Sequence, residues 1–145
     1  MTFIEQRGDL FAVPPDYALG HCVGNDFVMG AGIATEFARR YGRREWLIET
    51  SRGVGTCSHL PKSPDGADRD VFYLVTKPRS RTSKPTYQHL EASIVDMFRI
   101  ATQHKIHKIA VPRLGCGLDG KDWDTVRTLI RKHQPDGVDV LVCCL

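Results

Sequence analysis

Apolar residues along the chain recur at two different spacings, and each spacing predicts a type of element. Short apolar runs bounded by turn residues predict strands at residues 3–6, 18–23, 56–60, 71–75, 108–111 and 138–143. Apolar residues at helical spacing predict helices at residues 31–41, 43–50, 85–104 and 123–133. In the first helix, Ile33, Phe37 and Tyr41 share one face, and Gly42 follows as a C-terminal signal.

The alternation of strands and helices predicts an α/β fold of three α/β/α layers. Its central sheet should be mixed but largely parallel, with helices covering both faces. A chain of 145 residues is long enough to bury a core, and we expect one domain over residues 1–145. In such folds ligands bind at the carboxyl ends of the strands.

Composition indicates a soluble globular protein. Apolar residues make up 41% of the chain and charged residues 26%, a balance unlike that of disordered segments. No apolar run approaches the ~20 residues of a membrane span, and the first residues lack a signal-peptide core. We therefore expect no membrane association and a nuclear or cytoplasmic location.

The cysteines predict neither disulfides nor a metal site. There are five, no pair has C-x-x-C spacing, and the adjacent Cys143 and Cys144 would strain a mutual disulfide. Cys22 and Cys143 lie in apolar runs typical of buried strands. None of the six histidines stands at zinc-ligand spacing from a cysteine.

The net charge is only +3, but the basic residues are unevenly distributed. Two clusters stand out: Arg39, Arg40, Arg43 and Arg44, and Lys77, Arg79, Arg81 and Lys84. Such clusters either form a solvated face or attract a polyanion such as a nucleotide, poly(ADP-ribose) or nucleic acid. Without interleaved aromatic residues or a nucleic-acid motif, sequence-specific binding of nucleic acid is not expected.

A glycine-rich loop, GCGLDG at residues 115–120, follows a predicted strand and precedes a predicted helix. Its glycines allow a tight turn and a close backbone approach to a diphosphate. It matches the G-x-G-x-x-G dinucleotide fingerprint, but that motif normally follows the first strand, whereas here one helix and one strand remain. The loop also carries a carboxylate, Asp119, which phosphate binding does not require.

A second glycine turn, MGAGIA at residues 29–34, lies between a predicted strand and a predicted helix. Its amides could bind an anion, or it could be a simple strand-to-helix turn. Asp9 follows the first strand and could be a turn residue or accept a hydrogen bond from an exocyclic amine. Asn25 and Asp26 could cap a turn or face a ribose.

Together these segments resemble macrodomains. The resemblance rests on GDLF at residues 8–11, HC at 21–22, MGAGIA at 29–34, KPTY at 84–87 and PRLGCGLD at 112–119. It extends from Gly8 to Leu145. The KPTY and GCGLD segments are similar to those of the branch described as terminal ADP-ribose protein glycohydrolases and O-acetyl-ADP-ribose deacetylases.

The resemblance implies a lysine nucleophile and an aspartate acid/base, which would be Lys84 and Asp119. Lys84 would attack the anomeric carbon of the distal ribose and displace a protein carboxylate, and Asp119 would transfer protons. The amine must lose its proton before it can attack, and we expect partial burial and nearby helix N-termini to favour that loss. From composition alone, Lys84 could be a solvated lysine and Asp119 a helix cap.

The resemblance also implies a set of residues that bind ADP-ribose. They are Asp9, Leu10, His21, Gly30, Ala31, Gly32, Ile33, Arg113, Leu114, Gly115, Cys116, Gly117, Leu118 and Leu145. Asp9 and Leu10 would lie at the adenine, residues 113–117 at the phosphates and residues 30–33 at the distal ribose, with Leu145 closing the site. Cys116 also suggests a cysteine nucleophile, but no histidine is near it in sequence.

The chain departs from the family pattern at residues 24–27, which precede the glycine turn, and residues 62–70 have no assigned role. We expect a macrodomain that removes mono-ADP-ribose from protein glutamate or aspartate and also deacetylates O-acetyl-ADP-ribose. It should need no cofactor, bind ADP-ribose and ADP-ribosylated proteins, with poly(ADP-ribose) as a further candidate ligand, and act as a monomer. The alternatives are a non-catalytic ADP-ribose reader and a hydrolase of ADP-ribosylated nucleic acid.

Overall fold

Six strands and four helices follow one another in the order that the apolar pattern predicts. The computed structural model describes residues 1–144. The strands are β1 (Phe3–Arg7), β2 (Ala18–Gly24), β3 (Thr56–Leu60), β4 (Val71–Lys77), β5 (Lys108–Val111) and β6 (Asp139–Cys144). The helices are α1 (Ile33–Tyr41), α2 (Arg44–Thr50), α3 (Tyr87–Gln103) and α4 (Trp123–His133).

The strands form one sheet in the order β1-β6-β5-β2-β4-β3. All neighbours pair in parallel except β3, which runs antiparallel to β4 at one edge. The sheet is therefore mixed and largely parallel, as predicted. The carboxyl ends of β2, β4, β5 and β6 lie at the same end of the sheet, so the loops that follow them meet there.

Alternate residues of each central strand point into two separate apolar cores, which confirms the three-layer arrangement. In β4, Phe72 and Leu74 face the core beneath α3 and α4, whereas Val71, Tyr73 and Val75 face the core on the side of α1 and α2. All five side chains are fully buried. A strand buried on both faces reads as a continuous apolar run, which is why the sequence pattern located it.

The ends of two helices depend on local backbone chemistry. α1 begins at Ile33 rather than at the predicted residue 31, because Gly32 has φ 61° and ψ −149°, outside the helical region. α3 begins at Tyr87, where the Thr86 hydroxyl accepts a hydrogen bond from His89 N at 3.0 Å. A short 3₁₀ helix, Leu10–Ala12, was not predicted; Asp9 caps it by accepting from Phe11 N at 2.9 Å.

Side chains cover part of the open edge of β3. The Asp96 carboxylate of α3 is 9% exposed and accepts a hydrogen bond from Cys57 N at 2.7 Å. Arg52 donates to Cys57 O at 2.9 Å and to the same carboxylate at 2.5 Å. Arg99 donates to Asp96 from the other side at 2.9 Å. The polar groups of Cys57 that face away from β4 are therefore paired with side chains.

All five cysteines are free thiols. Within residues 1–144, no group of three or more histidine, cysteine, aspartate or glutamate side chains is arranged to hold a metal ion. No helix in this part of the chain combines the length and the apolar character needed to cross a membrane.

Candidate active site

A cavity of about 1070 Å³ opens at the carboxyl ends of the parallel strands. Its walls come from the segments that follow β2, β4 and β5 and from the end of β6. This is where a doubly covered parallel sheet leaves a crevice for a ligand. A cavity of this size can hold a dinucleotide-sized molecule.

Most of the predicted site residues meet at this cavity. Its walls include Lys84 and residues 30–33 and 113–119. Asp9 and Leu10 are not among its lining residues; Leu10 is 3% exposed and belongs to the core beside α1. Leu145 lies outside the described residues.

His21 lies at the cavity wall but has no exposed surface. Its ring stacks on Phe37 with 3.7 Å between centroids and meets Tyr73 edge-on at 5.0 Å. Neither ring nitrogen has a hydrogen-bond partner within residues 1–144. Burial lowers the pKa of His21 to about 3, so the ring is neutral at physiological pH.

The glycine loop after β5 is closed by its own backbone. Gly115 has φ 72°, and its carbonyl accepts from Lys121 N at 2.8 Å. A second turn is closed by Gly120 N, which donates to Gly117 O at 3.1 Å. Asp122, and not Asp119, caps α4 by accepting from Thr125 N. Asp119 is therefore not the N-cap of α4, and it lies instead among the residues that line the cavity.

Two lysines contact the Leu118–Asp119 segment of this loop. Lys77 Nζ lies 2.6 Å from Asp119 Oδ1, and the two side chains are only 12% and 13% exposed. Lys84 Nζ donates to Leu118 O, also at 2.6 Å. The structure thus places the Lys84 amine beside the residue that precedes Asp119, whereas the amine that contacts Asp119 itself is that of Lys77, which the sequence had indicated only as part of a basic cluster.

The expected partial burial of Lys84 is wrong. Its side chain is exposed, and the amine is held by a backbone carbonyl rather than enclosed by apolar groups. The preceding residues Ser80, Arg81 and Ser83 also line the cavity. The described residues therefore do not provide the desolvation that was expected for this amine.

The segment that carries Lys84 is braced against the end of β2. Asp26 accepts hydrogen bonds from Ser80 N at 2.9 Å and from the Ser80 hydroxyl. Gly24 allows this approach, because a Cβ atom added there would lie 2.7 Å from Ser80 N. Asp26 therefore fixes the lysine segment, rather than capping its own turn alone or facing a ribose.

The two basic clusters have different environments. From the second cluster, Lys77, Arg81 and Lys84 line the cavity. From the first, Arg39 and Arg40 pair with Glu36 on the surface of α1 at 2.5 Å. The second cluster is thus placed to attract an anion to the site. In the first, Arg39 and Arg40 form a solvated helix face, whereas Arg44 donates to Phe27 O and Asp26 O, both at 3.0 Å.

Two thiols at the cavity, those of Cys22 and Cys116, are poorly suited to nucleophilic attack. The pKa of Cys22 is raised to about 12, mainly by burial and secondarily by the nearby Asp119 carboxylate. Burial also raises the pKa of Cys116, whose Sγ donates to Leu114 O at 3.3 Å. Because the thiolate is the reactive form, these environments disfavour the cysteine-nucleophile alternative.

Comparisons with known proteins agree with this arrangement. A family model described as "Macro domain" matches residues 62–130. The Homo sapiens ADP-ribose glycohydrolase OARD1 is 36% identical over 126 residues, which cover 87% of this chain and 80% of that protein. The DNA ADP-ribosyl glycohydrolase of Mycobacterium tuberculosis is 33% identical over 130 residues, covering 84% of this chain and 36% of that protein.

Among solved structures, the macrodomain of Thermus aquaticus DarG superposes with a TM-score of 0.86 at 24% identity, and 99% of each chain is covered. At that identity the likeness shows the fold. The sequence relationship to the human protein covers most of both chains. This chain therefore belongs to the macrodomain family.

Proposed function

We propose that this protein releases mono-ADP-ribose from protein glutamate or aspartate and also deacetylates O-acetyl-ADP-ribose. The enzyme class is that of the curated relatives, which are named glycohydrolases, so the chain is a hydrolase that acts on ADP-ribose linkages. The observation that carries the finer proposal is the position of the Lys84 amine, which contacts the carbonyl of the residue before Asp119. A reader of ADP-ribose would need neither group.

The glycine segments would bind the diphosphate and the distal ribose. Residues 115–117 and 30–32 line the same cavity from two loops, and their backbones can approach a diphosphate closely. Arg81 stands at this wall, with Nη2 3.9 Å from the position of a Cβ atom on Gly30. These contacts orient the ester so that its anomeric carbon faces Lys84.

In the first chemical step, the lone pair of the Lys84 amine attacks the anomeric carbon of the distal ribose. The bond from that carbon to the acyl oxygen breaks, and its electron pair leaves with the substrate carboxylate. The attacking nitrogen loses a proton to Asp119. Asp119 then protonates the ring oxygen as the ring opens, which leaves a Schiff base between Lys84 and the sugar.

In the second step, water adds to the imine carbon and gives its proton to Asp119. Asp119 then returns that proton to the lysine nitrogen, and the carbon–nitrogen bond breaks as an electron pair of the new hydroxyl oxygen forms the carbonyl. Asp119 accepts the proton that this hydroxyl loses. Free ADP-ribose and the Lys84 amine are the products. Asp119 finally passes the hydroxyl proton to solvent, which regenerates its carboxylate and accounts for the one proton that hydrolysis of the ester releases.

The test uses glutamate-modified, auto-ADP-ribosylated protein as substrate. We expect Lys84→Ala and Asp119→Ala to release little ADP-ribose while still binding free ADP-ribose. Lys62→Ala and Asp65→Ala, at exposed residues of the 62–70 loop, are matched controls that should behave like the wild type. Mass spectrometry should find an adduct on Lys84 that accumulates in the Asp119 variant.

Unchanged release by both variants would refute the mechanism. A parallel arm with ADP-ribosylated DNA separates the two linkage classes, because the mycobacterial relative is named for that substrate. Turnover of the DNA conjugate without turnover of the protein ester would replace the proposed substrate with its alternative.

A further inference from the structure

A second cavity lies at the outer edge of the sheet, where β3 has no further strand beside it. It has a volume of about 370 Å³, and its walls come from α2, from β3 and from the last turns of α3. None of its lining residues lines the larger cavity at the carboxyl ends of the parallel strands. Its volume is within the range of sites that bind small ligands.

The charge of this second cavity comes from two arginines that share one carboxylate. Arg52 and Arg99 line the cavity, and both pair with Asp96, so one of the two positive charges is left without a counter-charge. The Asp96 side chain is 12% exposed, whereas those of Arg52 and Arg99 are 51% and 55% exposed. The cavity wall is therefore positively charged, and the carboxylate lies behind it.

Both arginines keep N–H donors for a ligand. Arg52 makes its bonds to Cys57 O and to Asp96 through Nη2 alone. Arg99 directs Nε and Nη2 at Asp96, while its Nη1 has a contact of 3.4 Å with Gln103 Oε1. Guanidinium groups bind phosphate oxygens through parallel donors, and here the carboxylate already holds both groups in place. The pair is therefore preorganised for a phosphate group.

The remaining walls add aromatic and apolar surface beside these charges. Trp46 and Ile100 line the cavity, and the Arg43 guanidinium lies 5.3 Å from the centroid of the indole ring. The rings of His59 and His104 stand next to each other, with 4.9 Å between their centroids. A nucleobase combines flat apolar faces with a polar edge, and proteins bind it by placing such side chains next to cationic groups.

We propose that this second cavity is a non-catalytic site that binds a nucleotide. Its phosphate would bind Arg52 and Arg99, and its base would lie against the wall formed by Trp46 and Ile100. A free mononucleotide and one unit of a single strand present the same phosphate and base to this wall. An acidic peptide would offer carboxylates to the arginines but no base for the indole. The site goes beyond the proposed hydrolase function and does not depend on it.

The experiment titrates the whole chain separately with AMP, adenosine, inorganic phosphate, a tetraglutamate peptide and a single-stranded adenine hexanucleotide. Binding is followed by NMR on the indole N–H signals of the two tryptophans. Trp46 reports the second cavity and Trp123 the larger one, because each lines only one of them. We expect AMP to shift the Trp46 signal to saturation, and to bind more tightly than adenosine, phosphate or the peptide.

Arg99→Gln should weaken AMP binding at Trp46 about tenfold, because it removes a charged donor while Asp96 keeps its other hydrogen bonds. The Trp123 response and ADP-ribose release should stay as in the wild type. Arg39→Gln is the matched control, since Arg39 is also exposed and pairs with an acidic residue three positions earlier. This control should bind AMP as the wild type does.

A Trp46 signal that AMP does not shift would overturn the inference, and so would AMP binding that Arg99→Gln leaves unchanged. Phosphate or the peptide binding as tightly as AMP would also overturn it, because the base would then have no role. Tighter binding of the hexanucleotide than of AMP would identify a strand as the ligand, and equal or weaker binding would identify a free nucleotide. If Arg99→Gln does not fold, Arg99→Lys, which lacks the planar donors, must weaken AMP binding instead.

Discussion

Gly24 offers a test of how the segment that carries Lys84 is held, because substitution by alanine adds only a Cβ atom, and that atom would lie against this segment. A Cβ atom at residue 24 would lie 2.7 Å from Ser80 N, 2.8 Å from Ser80 Oγ and 3.0 Å from Arg79 C. Two of these atoms are backbone, and Ser80 is bonded to Asp26, so the neighbour cannot rotate away. In Gly24→Ala, Ser80 must move by about 0.7 Å to reach ordinary contact.

The magnitude follows from that displacement. Overpacking of this kind costs about 1–3 kcal/mol of unfolding free energy, which corresponds to about 2–4 °C in Tm per kcal/mol. Ser80 lies four residues before Lys84, so the shift passes along a short segment to the amine. A 1 Å misplacement at an active site can cost about 100-fold, and we therefore expect a loss of roughly tenfold or more in kcat/KM.

The assay is ADP-ribose release from the glutamate-linked substrate, with Tm measured on the same preparations. Gly66→Ala is the matched control, because its added Cβ would find its nearest neighbour at 3.6 Å and its φ is not positive. A Gly24→Ala protein with the activity and Tm of Gly66→Ala would refute the argument that this contact fixes the Lys84 segment.

Three further outcomes are expected at Asp96, His21 and Cys22. Asp96→Ala should lose about 2–4 kcal/mol of unfolding free energy in urea, because Cys57 N would be buried without an acceptor. Burial raises the Asp96 pKa, but hydrogen bonds from Cys57 N and Arg52 outweigh that effect and keep the pKa low. The contribution of the Asp96 carboxylate to stability is therefore present at neutral pH and lost as the pH falls below about 4. Equal pH dependence of stability in the wild type and in Asp96→Ala would contradict this expectation. His21, with its pKa lowered to about 3 in the folded state, should show no imidazole titration by NMR between pH 5 and 8. Because His21 becomes protonated near pH 6.5 in the unfolded chain, the free energy of unfolding should fall by about 2 kcal/mol by pH 5. A His21 imidazole signal that titrates between pH 5 and 8 would contradict this expectation. Cys22, with a pKa of about 12, should resist iodoacetamide at pH 8 in the folded protein and react after unfolding, as mass spectrometry can verify.

Among the described residues, the apolar pattern located all six strands and all four α-helices, because burial on one or both faces dictates which positions must be apolar. Its errors occur where other physics decides. The start of α1 depends on the backbone of Gly32, and the 3₁₀ helix after Asp9 depends on one hydrogen bond. The apolar pattern could not predict that β3 runs antiparallel to β4, because an apolar run contains no information on the direction of a strand.

The candidate site was predictable only as far as its motifs extend. The glycine loops and Lys84 belong to contiguous segments, and the structure brings them together in one cavity. The Lys77–Asp119 pair joins residues 42 positions apart, across strands β4 and β5, which lie on either side of β2 in an order that no local pattern gives. The exposure of Lys84 likewise depends on which segments surround it, and sequence reasoning placed it in too enclosed an environment.

The covered edge of β3 has a consequence for how the molecule behaves in a crowded solution. An open strand normally invites another chain to extend the sheet, and this is a common route to aggregation. Here an incoming strand would have to break the Cys57–Asp96 and Cys57–Arg52 bonds before it could pair at that position. Displacing a buried carboxylate from its donors is costly, so molecules that meet at this edge are held apart by side chains that also join α3 to the sheet.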